Sequence, residues 1–216
     1  GAGMVLISAG DLASARKTAQ HNIRVLSELA RDGHPIVCTE PSSALCLREE
    51  YPMLLEHPDV DVVAQQVIDA GTLLGQLHSD GRLRTDFQPL DLNVGYHLPC
   101  HVKALSRETP FADLLSLIPG LTVNRIEEGC SGMAGAYGLT RDNFETSLKI
   151  GAGLIQRMQR SDLTVGATDC SSCKLQMEQG TTTPTIHPIK LMALAYGLMP
   201  ELRERLKPSG KRLVVT

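Results

Sequence analysis

Two stretches of this chain repeat one order of elements, and the repetition limits the fold more than any bulk property does. Gly1-Ala2-Gly3-Met4 overlays Cys130-Ser131-Gly132-Met133. Each loop is followed by a long helical pattern, a strand-like run, an acidic residue, a serine-rich turn and another helix. Glu40-Pro41-Ser42-Ser43 then falls beside Asp169-Cys170-Ser171-Ser172-Cys173, at nearly the same distance from its glycine loop. Strands alternating with helices predict an α/β fold with mainly parallel sheets flanked by helices. The repeat predicts two pseudo-equivalent lobes, the first truncated because it lacks its upstream strand and helix. We place them at residues 1–90 and 91–216.

Local signals fill in this frame. Asp11 reads as an N-cap, and Leu12, Ala15, Ala19, Ile23, Leu26 and Ala30 form one helical stripe that Gly33 and Pro35 stop. Ile36 to Thr39 reads as a short strand, Glu40 to Ser43 as a turn, and a helix follows to about Glu50. Val60 to Leu77 reads as one amphipathic stretch and Ser79 to Asp91 as a polar linker. Beyond it we expect strands at Leu92–Tyr96, Leu121–Ile126 and Leu163–Thr168. Helices are expected from Cys100 to about Ile118, from Arg141 to about Arg160 with Phe144, Leu148, Leu154, Ile155 and Met158 on its apolar face, and from His187 to about Gly197. Leu213-Val214-Val215 reads as a stray edge strand.

A formal charge of −3 offers no basic field for nucleic acid or anionic lipid. Aromatic residues are 3% of the chain with no Trp, which leaves little for stacking bases. No apolar run nears the roughly 20 residues of a membrane helix. The N-terminus has no basic stretch leading into an apolar core, so we expect no export signal and a cytoplasmic, reducing compartment. There, six cysteines read as metal ligands or redox groups before they read as bridges.

Four of the six follow predicted strands: Cys100, Cys130, Cys170 and Cys173. Loops at the carboxyl ends of parallel strands meet where open α/β sheets bind ligands, so these thiols can converge across a long stretch of sequence. Thiolates are soft, polarizable anions that suit zinc or iron in clusters. The Cys170-x-x-Cys173 pair alone reads as a dithiol redox pair, half a zinc site or two buried thiols. Cys38 and Cys46, on a strand and a helix face, read as core thiols. His97, His101 and His187 flank the cysteines, either as caps or as ligands and proton carriers.

The run Tyr96-His97-Leu98-Pro99-Cys100-His101, then Gly129-Cys130-Ser131-Gly132-Met133-Ala134-Gly135, Asp169-Cys170-Ser171-Ser172-Cys173-Lys174 and His187-Pro188 resembles the cysteine-rich CCG domain. That domain occurs in iron–sulfur subunits of glycolate oxidase, anaerobic glycerol-3-phosphate dehydrogenase, lactate-utilization proteins and heterodisulfide reductase. The resemblance implies that this chain is the C-terminal part of such a subunit, one fused to an FAD-linked oxidase included. Residues 1–90 would end a first, degenerate cysteine-rich repeat, and 91–216 would form the second.

By position, Cys100 matches the leading cysteine of the family motif, Cys130 the first of the doublet, and Cys170 and Cys173 the final pair. Ser131 stands where the second doublet cysteine belongs. It is either a weak ligand or a hydrogen-bond donor to sulfur, and His101 is a candidate for the missing fifth position. His187 would cap a helix beside the site. Four thiolates suffice for a [4Fe–4S] cluster, a smaller cluster or tetrahedral zinc. In the first repeat Ser43 and Gly1-Ala2 replace the cysteines, which implies no cluster there.

What the resemblance implies is the electron-transfer part of an oxidoreductase and not a self-contained enzyme. It would carry electrons from a flavin-containing dehydrogenase subunit or domain, acting on a 2-hydroxy acid or related alcohol (glycolate, lactate or glycerol-3-phosphate type), to a quinone or other carrier. FAD would sit only in the partner or fused domain, and any membrane association would be peripheral, at the inner face, through partners. The alternatives are a zinc-binding structural or interaction domain and a CxxC dithiol redox protein.

Overall fold

The computed structural model describes residues 1–105 and 110–207. The expected strand at Leu213-Val214-Val215 lies outside the described residues, as does the middle of the helix expected from Cys100 to Ile118. In chain order the elements are α1 (Met4–Ser8), α2 (Leu12–Arg31), β1 (Ile36–Cys38), α3 (Pro41–Leu45), a π-helical turn (Cys46–Glu50), α4 (Tyr51–Leu54), α5 (Asp59–Gln66), β2 (Val67–Asp69) and α6 (Ala70–Ser79). There follow β3 (Leu92–His97), α7 (Cys100–Leu105), α8 (Pro110–Leu115), β4 (Leu121–Ile126), a 3₁₀ turn (Tyr137–Leu139), α9 (Arg141–Met158), β5 (Val165–Ala167), α10 (Ser171–Met177), β6 (Thr185–Ile186), α11 (Pro188–Ala195) and α12 (Leu202–Arg205). The architecture is mixed α/β, with parallel sheets flanked by helices.

The chain forms two compact units. One comprises Gly1–Leu73 with residues 101–105. Its two strands pair in parallel, Ile36 against Val67 and Cys38 against Asp69. Helix α2 forms where its stripe predicts, with the Asp11 carboxylate accepting the Ser14 N–H at 3.0 Å. Its buried face, Ala19, Ile23 and Ala30, packs with Ala44, Cys46, Leu47, Tyr51, Val60, Val63 and Val67.

Two expectations fail in this unit. Helix α3 starts at Pro41, so the supposed turn is already helical; proline at the first helical position lacks only an N–H that would be orphaned anyway. The stretch Val60–Leu77 is not one helical element. The β-branched pair Val67-Ile68 leaves the helix and enters the ladder beside β1, because pairing with a partner strand outweighs the helical period of its flanks.

The second unit comprises Leu74–Cys100 with residues 110–207. Its strands run β4-β3-β5-β6, all parallel. The central pairings set Leu92 beside Leu121, His97 beside Ile126, and Tyr96 beside Ala167. Strand β6 was not anticipated: two residues carry too little pattern to read. The polar linker is extended but anchored, since Phe87 and Leu90 are buried and the Phe87 ring lies 4.6 Å from that of Tyr196.

Helix α9 spans the predicted range, yet its most buried positions are Ser147, Gly151, Leu154 and Met158, while Phe144, Leu148 and Ile155 are only half-buried. Met158 and Leu154 pack with Ile126, Leu163 and Met177. The small residues at 147 and 151 mark where a loop comes against the helix.

Candidate metal centre

Because the four strands of the second unit are parallel, their carboxyl ends open on one edge of the sheet. Strand β3 ends at His97 and leads through Leu98-Pro99 to Cys100. Strand β4 ends at Ile126 and leads to Cys130, β5 ends at Ala167 and leads to Cys170, and β6 ends at Ile186 and leads to His187. The cysteines fall three or four residues past strands held in register, so the sheet sets where their loops begin. A buried bond ties two of these ends together: the Tyr96 hydroxyl donates to Asp169 Oδ2 at 2.7 Å, both residues lying inside the fold.

Cys170 occupies the N-cap position of α10 and Cys173 its first turn, and both are buried. Their thiols hydrogen-bond to each other, and Cys100 acts on Cys173 through its charge. The bond with Cys170, then burial, then repulsion from the Cys170 and Cys100 sulfurs push the Cys173 thiol far above its ordinary range. Three sulfurs therefore interact electrostatically here, and as free groups they resist ionising together.

Ser131 is buried and its Oγ lies 3.3 Å from Cys173 Sγ. Cys130, next to it, is exposed, and its Sγ accepts the Gly132 N–H at 3.3 Å. A second tether joins loop and helix: the Ser172 hydroxyl donates to the Gly135 carbonyl at 2.9 Å.

The loop is pressed onto α9. Gly132 has φ 83°, a left-handed conformation, and a Cβ there would run into the Ser147 carbonyl. A Cβ on Gly151 would strike the Ser131 carbonyl oxygen and lie 2.8 Å from Gln176 Nε2. Gln176 of α10 is buried and donates to the Ser147 carbonyl at 3.0 Å and to its hydroxyl at 3.3 Å. Helix α10, which carries the CxxC pair, is thus fixed to α9, against which the loop packs.

The other candidates take plainer places. His187 is the N-cap of α11, its Nδ1 accepting the Ile189 N–H at 3.1 Å, and its ring stands edge-on to Phe111 at 5.5 Å. His101 belongs to the first unit; burial lowers its pKa against the opposing pull of Glu40 and Glu50. Lys174 pairs with Glu178 at 2.6 Å and Glu128 pairs with Arg157. Cys46 is a core thiol as read, its Sγ lying 3.3 Å from the Ala2 carbonyl, and burial pushes it up to about 12. Cys38 is half-buried.

Sequence reading missed Tyr96, Ser147, Gly151 and Gln176. Only Tyr96 carried a signal, since a phenol on a buried strand needs a partner for its hydroxyl.

The donor set suits a soft cation, because thiolates are soft, polarizable ligands. As they stand, no three His, Cys, Asp or Glu side chains among the described residues are arranged to hold a metal ion. Cys100 and Cys130 are exposed, whereas Cys170 and Cys173 are buried.

The four-stranded sheet with cysteine-bearing loops past its strand ends lies in the part of the chain that matches the CCG cysteine-rich domain, residues 94–178. The chain is homologous to a subunit of the anaerobic glycerol-3-phosphate dehydrogenase of Escherichia coli K12, with 34% identity over 194 residues, 89% of this chain and 48% of that protein. It is also similar to D-2-hydroxyglutarate dehydrogenase of the same strain, 28% identical over 82% of this chain and 17% of that protein. The enzyme of that name from Pantoea ananatis is 26% identical over 85% of this chain and 18% of its own length. The chain thus spans about half the length of the first relative and under a fifth of the others. No helix among the described residues is long and apolar enough to cross a membrane.

Proposed function

We propose that this chain is the iron–sulfur electron-transfer module of an FAD-linked oxidoreductase acting on a 2-hydroxy acid or related alcohol. Cys100, Cys130, Cys170 and Cys173 would hold the cluster, of [4Fe–4S] type. When bound, it supplies a one-electron couple between the flavin and a quinone or other carrier. The flavin would sit in a partner subunit or fused domain. The observation that carries the reading is the placement of cysteine-bearing loops past the ends of one parallel sheet, with Cys173 Sγ 3.3 Å from the Oγ of Ser131, the neighbour of Cys130. Homology to two dehydrogenases supports the oxidoreductase class.

This chain's own groups have defined tasks in that reading. Burial of Cys170 and Cys173 excludes water from two of the sulfurs. The Gly132 N–H donates to the Cys130 sulfur, and such bonds offset thiolate charge and favour the reduced state of a cluster. The Gln176–Ser147 contact ties α10 to α9, on which the loop packs.

We place residues 1–90 as the end of a first, degenerate repeat and 91–216 as the second. Gly3 and Gly132 share the left-handed conformation (φ 94° and 83°), and Ala2 and Ser131 before them are both buried. Helices of 20 and 18 residues follow, and each leads to a parallel strand pair.

Iron and acid-labile sulfide analysis of anaerobically prepared protein, with absorbance and electron paramagnetic resonance before and after dithionite, tests the function. About four irons per chain with a reducible signal is the expected result for four thiolate ligands. A colourless protein that stays iron-free after reconstitution refutes it, and one zinc per chain without redox activity would establish the zinc-domain alternative.

A further inference from the structure

Ser131 stands where a thiol would complete a five-cysteine set, and two observations define what its hydroxyl does instead. In the metal-free chain the Cys173 thiol donates to the Ser131 Oγ at 3.3 Å, and the Met133 N–H donates to the same oxygen at 3.5 Å. The Met133 bond uses an acceptor site on the oxygen and leaves the hydroxyl proton to be given away. A metal-bound Cys173 is a thiolate with no proton of its own, so a bond between these two atoms then runs from oxygen to sulfur. We propose that Ser131 is a positioning residue that donates a hydrogen bond to the Cys173 sulfur, and not a metal ligand. This rests on the metal-centre reading above and goes beyond it.

The hydroxyl is held to this task. Ser131 is 3% exposed, so bulk water does not compete for the proton. Its backbone carbonyl is packed against Gly151, and Gly132 after it is pinned over the Ser147 carbonyl. Neither place has room for a side chain, so the loop cannot slide along α9 without losing that contact. A neutral hydroxyl is also a weak partner for a soft cation beside four thiols. As a donor, by contrast, it withdraws charge from one sulfur and stabilises the more reduced, more electron-rich form of the centre.

Anaerobic cobalt(II) titration of the full chain tests the inference apart from any activity, because sulfur-to-cobalt charge transfer reports sulfur electron density and the d–d bands report coordination. We compare the natural chain with Ser131→Ala, which deletes the hydroxyl, and Ser131→Thr, which keeps it; Ser131→Gly replaces the alanine variant should that variant not fold. The deletion is expected to leave the tetrahedral d–d pattern intact, move the charge-transfer band to longer wavelength, and weaken cobalt binding by about tenfold. The threonine variant is expected to keep the natural band position. A deletion that changes the d–d pattern makes Ser131 a ligand and overturns the inference, and one that changes neither band nor affinity makes it a bystander and does the same. Failure of the natural chain to bind cobalt would instead overturn the metal-centre reading itself.

Discussion

Gly151 and Gly153 lie two residues apart on α9 and face opposite demands, which makes them a controlled pair. Changing either to alanine in mid-helix brings the same propensity gain, about 0.8–1 kcal/mol. Gly153 is exposed, and a methyl there would sit 3.4 Å from Glu128 Cβ, an ordinary contact. At Gly151 the methyl would meet the Ser131 carbonyl oxygen and Gln176 Nε2, the first a backbone atom and the second an amide already bonded to Ser147. Neither can swing away, and such overpacking costs about 1–3 kcal/mol. The propensity gain cancels in the comparison, so Gly151→Ala should be less stable than Gly153→Ala by that cost alone. For a chain of this length the gap corresponds to roughly 2–12 °C in melting temperature. Far-UV circular dichroism melts of the metal-free proteins at one pH measure it. Two variants melting within about 1 °C of each other would show that the cysteine loop is not pressed on α9, and would remove the basis for fixing Ser131.

Two further outcomes follow from buried groups. Gln176→Leu removes a buried side-chain bond to the Ser147 carbonyl, which keeps its helical partner; urea unfolding should show a loss of about 0.5–1.5 kcal/mol, and no measurable loss would count against the bond. Cys46 and Tyr51 are acids that burial raises from 9.0 and 10.0 to about 12. The folded state therefore holds their protons longer than the unfolded chain does, and stability present at neutral pH is lost as pH rises from about 9 towards 12. Cys46→Ala should lose about 1–2 kcal/mol less than the natural chain between about pH 8 and 10.5 in urea unfolding, and identical pH profiles would count against the assigned burial.

The legible parts of this fold are those where local chemistry and tertiary demand agree. Helix α2 has a cap, a stripe and a stop signal, and it forms where they place it. Strands β3 and β4 are long enough to show their pattern, and the cysteines follow them as expected. Strand β2 was hidden because its three residues sit between helical flanks and are drawn into a ladder by β1. The loop contact on α9 was hidden for another reason. Ser147 and Gly151 are chosen for lack of volume against a backbone distant in sequence, whereas an apolar-face reading looks for bulk such as Phe144. Ser131 could be read as an oddity in a motif, but its partner Cys173 lies 42 residues away and only the fold supplies that distance.

The first unit shows that the loop does not need sulfur to hold its shape. There Ala2 takes the place that Ser131 holds in the overlay, and its carbonyl accepts the Tyr51 hydroxyl at 2.7 Å with the Cys46 thiol at 3.3 Å. Gly3 after it adopts the same left-handed turn as Gly132. A left-handed glycine packed on a long helix is thus sufficient for the turn, and the cysteines of the second unit ride on a frame held by apolar packing and buried hydrogen bonds. Small zinc domains differ, since in them metal binding is the folding free energy. This chain should keep its fold when metal is absent, with the sulfurs differing in access: Cys100 and Cys130 are exposed, Cys170 and Cys173 each 6% exposed, and Cys173 is raised in pKa as well. Brief iodoacetamide treatment of metal-free protein, read by peptide mass spectrometry, should therefore label Cys100 and Cys130 well before Cys170 and Cys173. Equal labelling of all four would mean that α10 opens without its metal, and that the cation, not the Gln176–Ser147 contact, holds the CxxC helix in place.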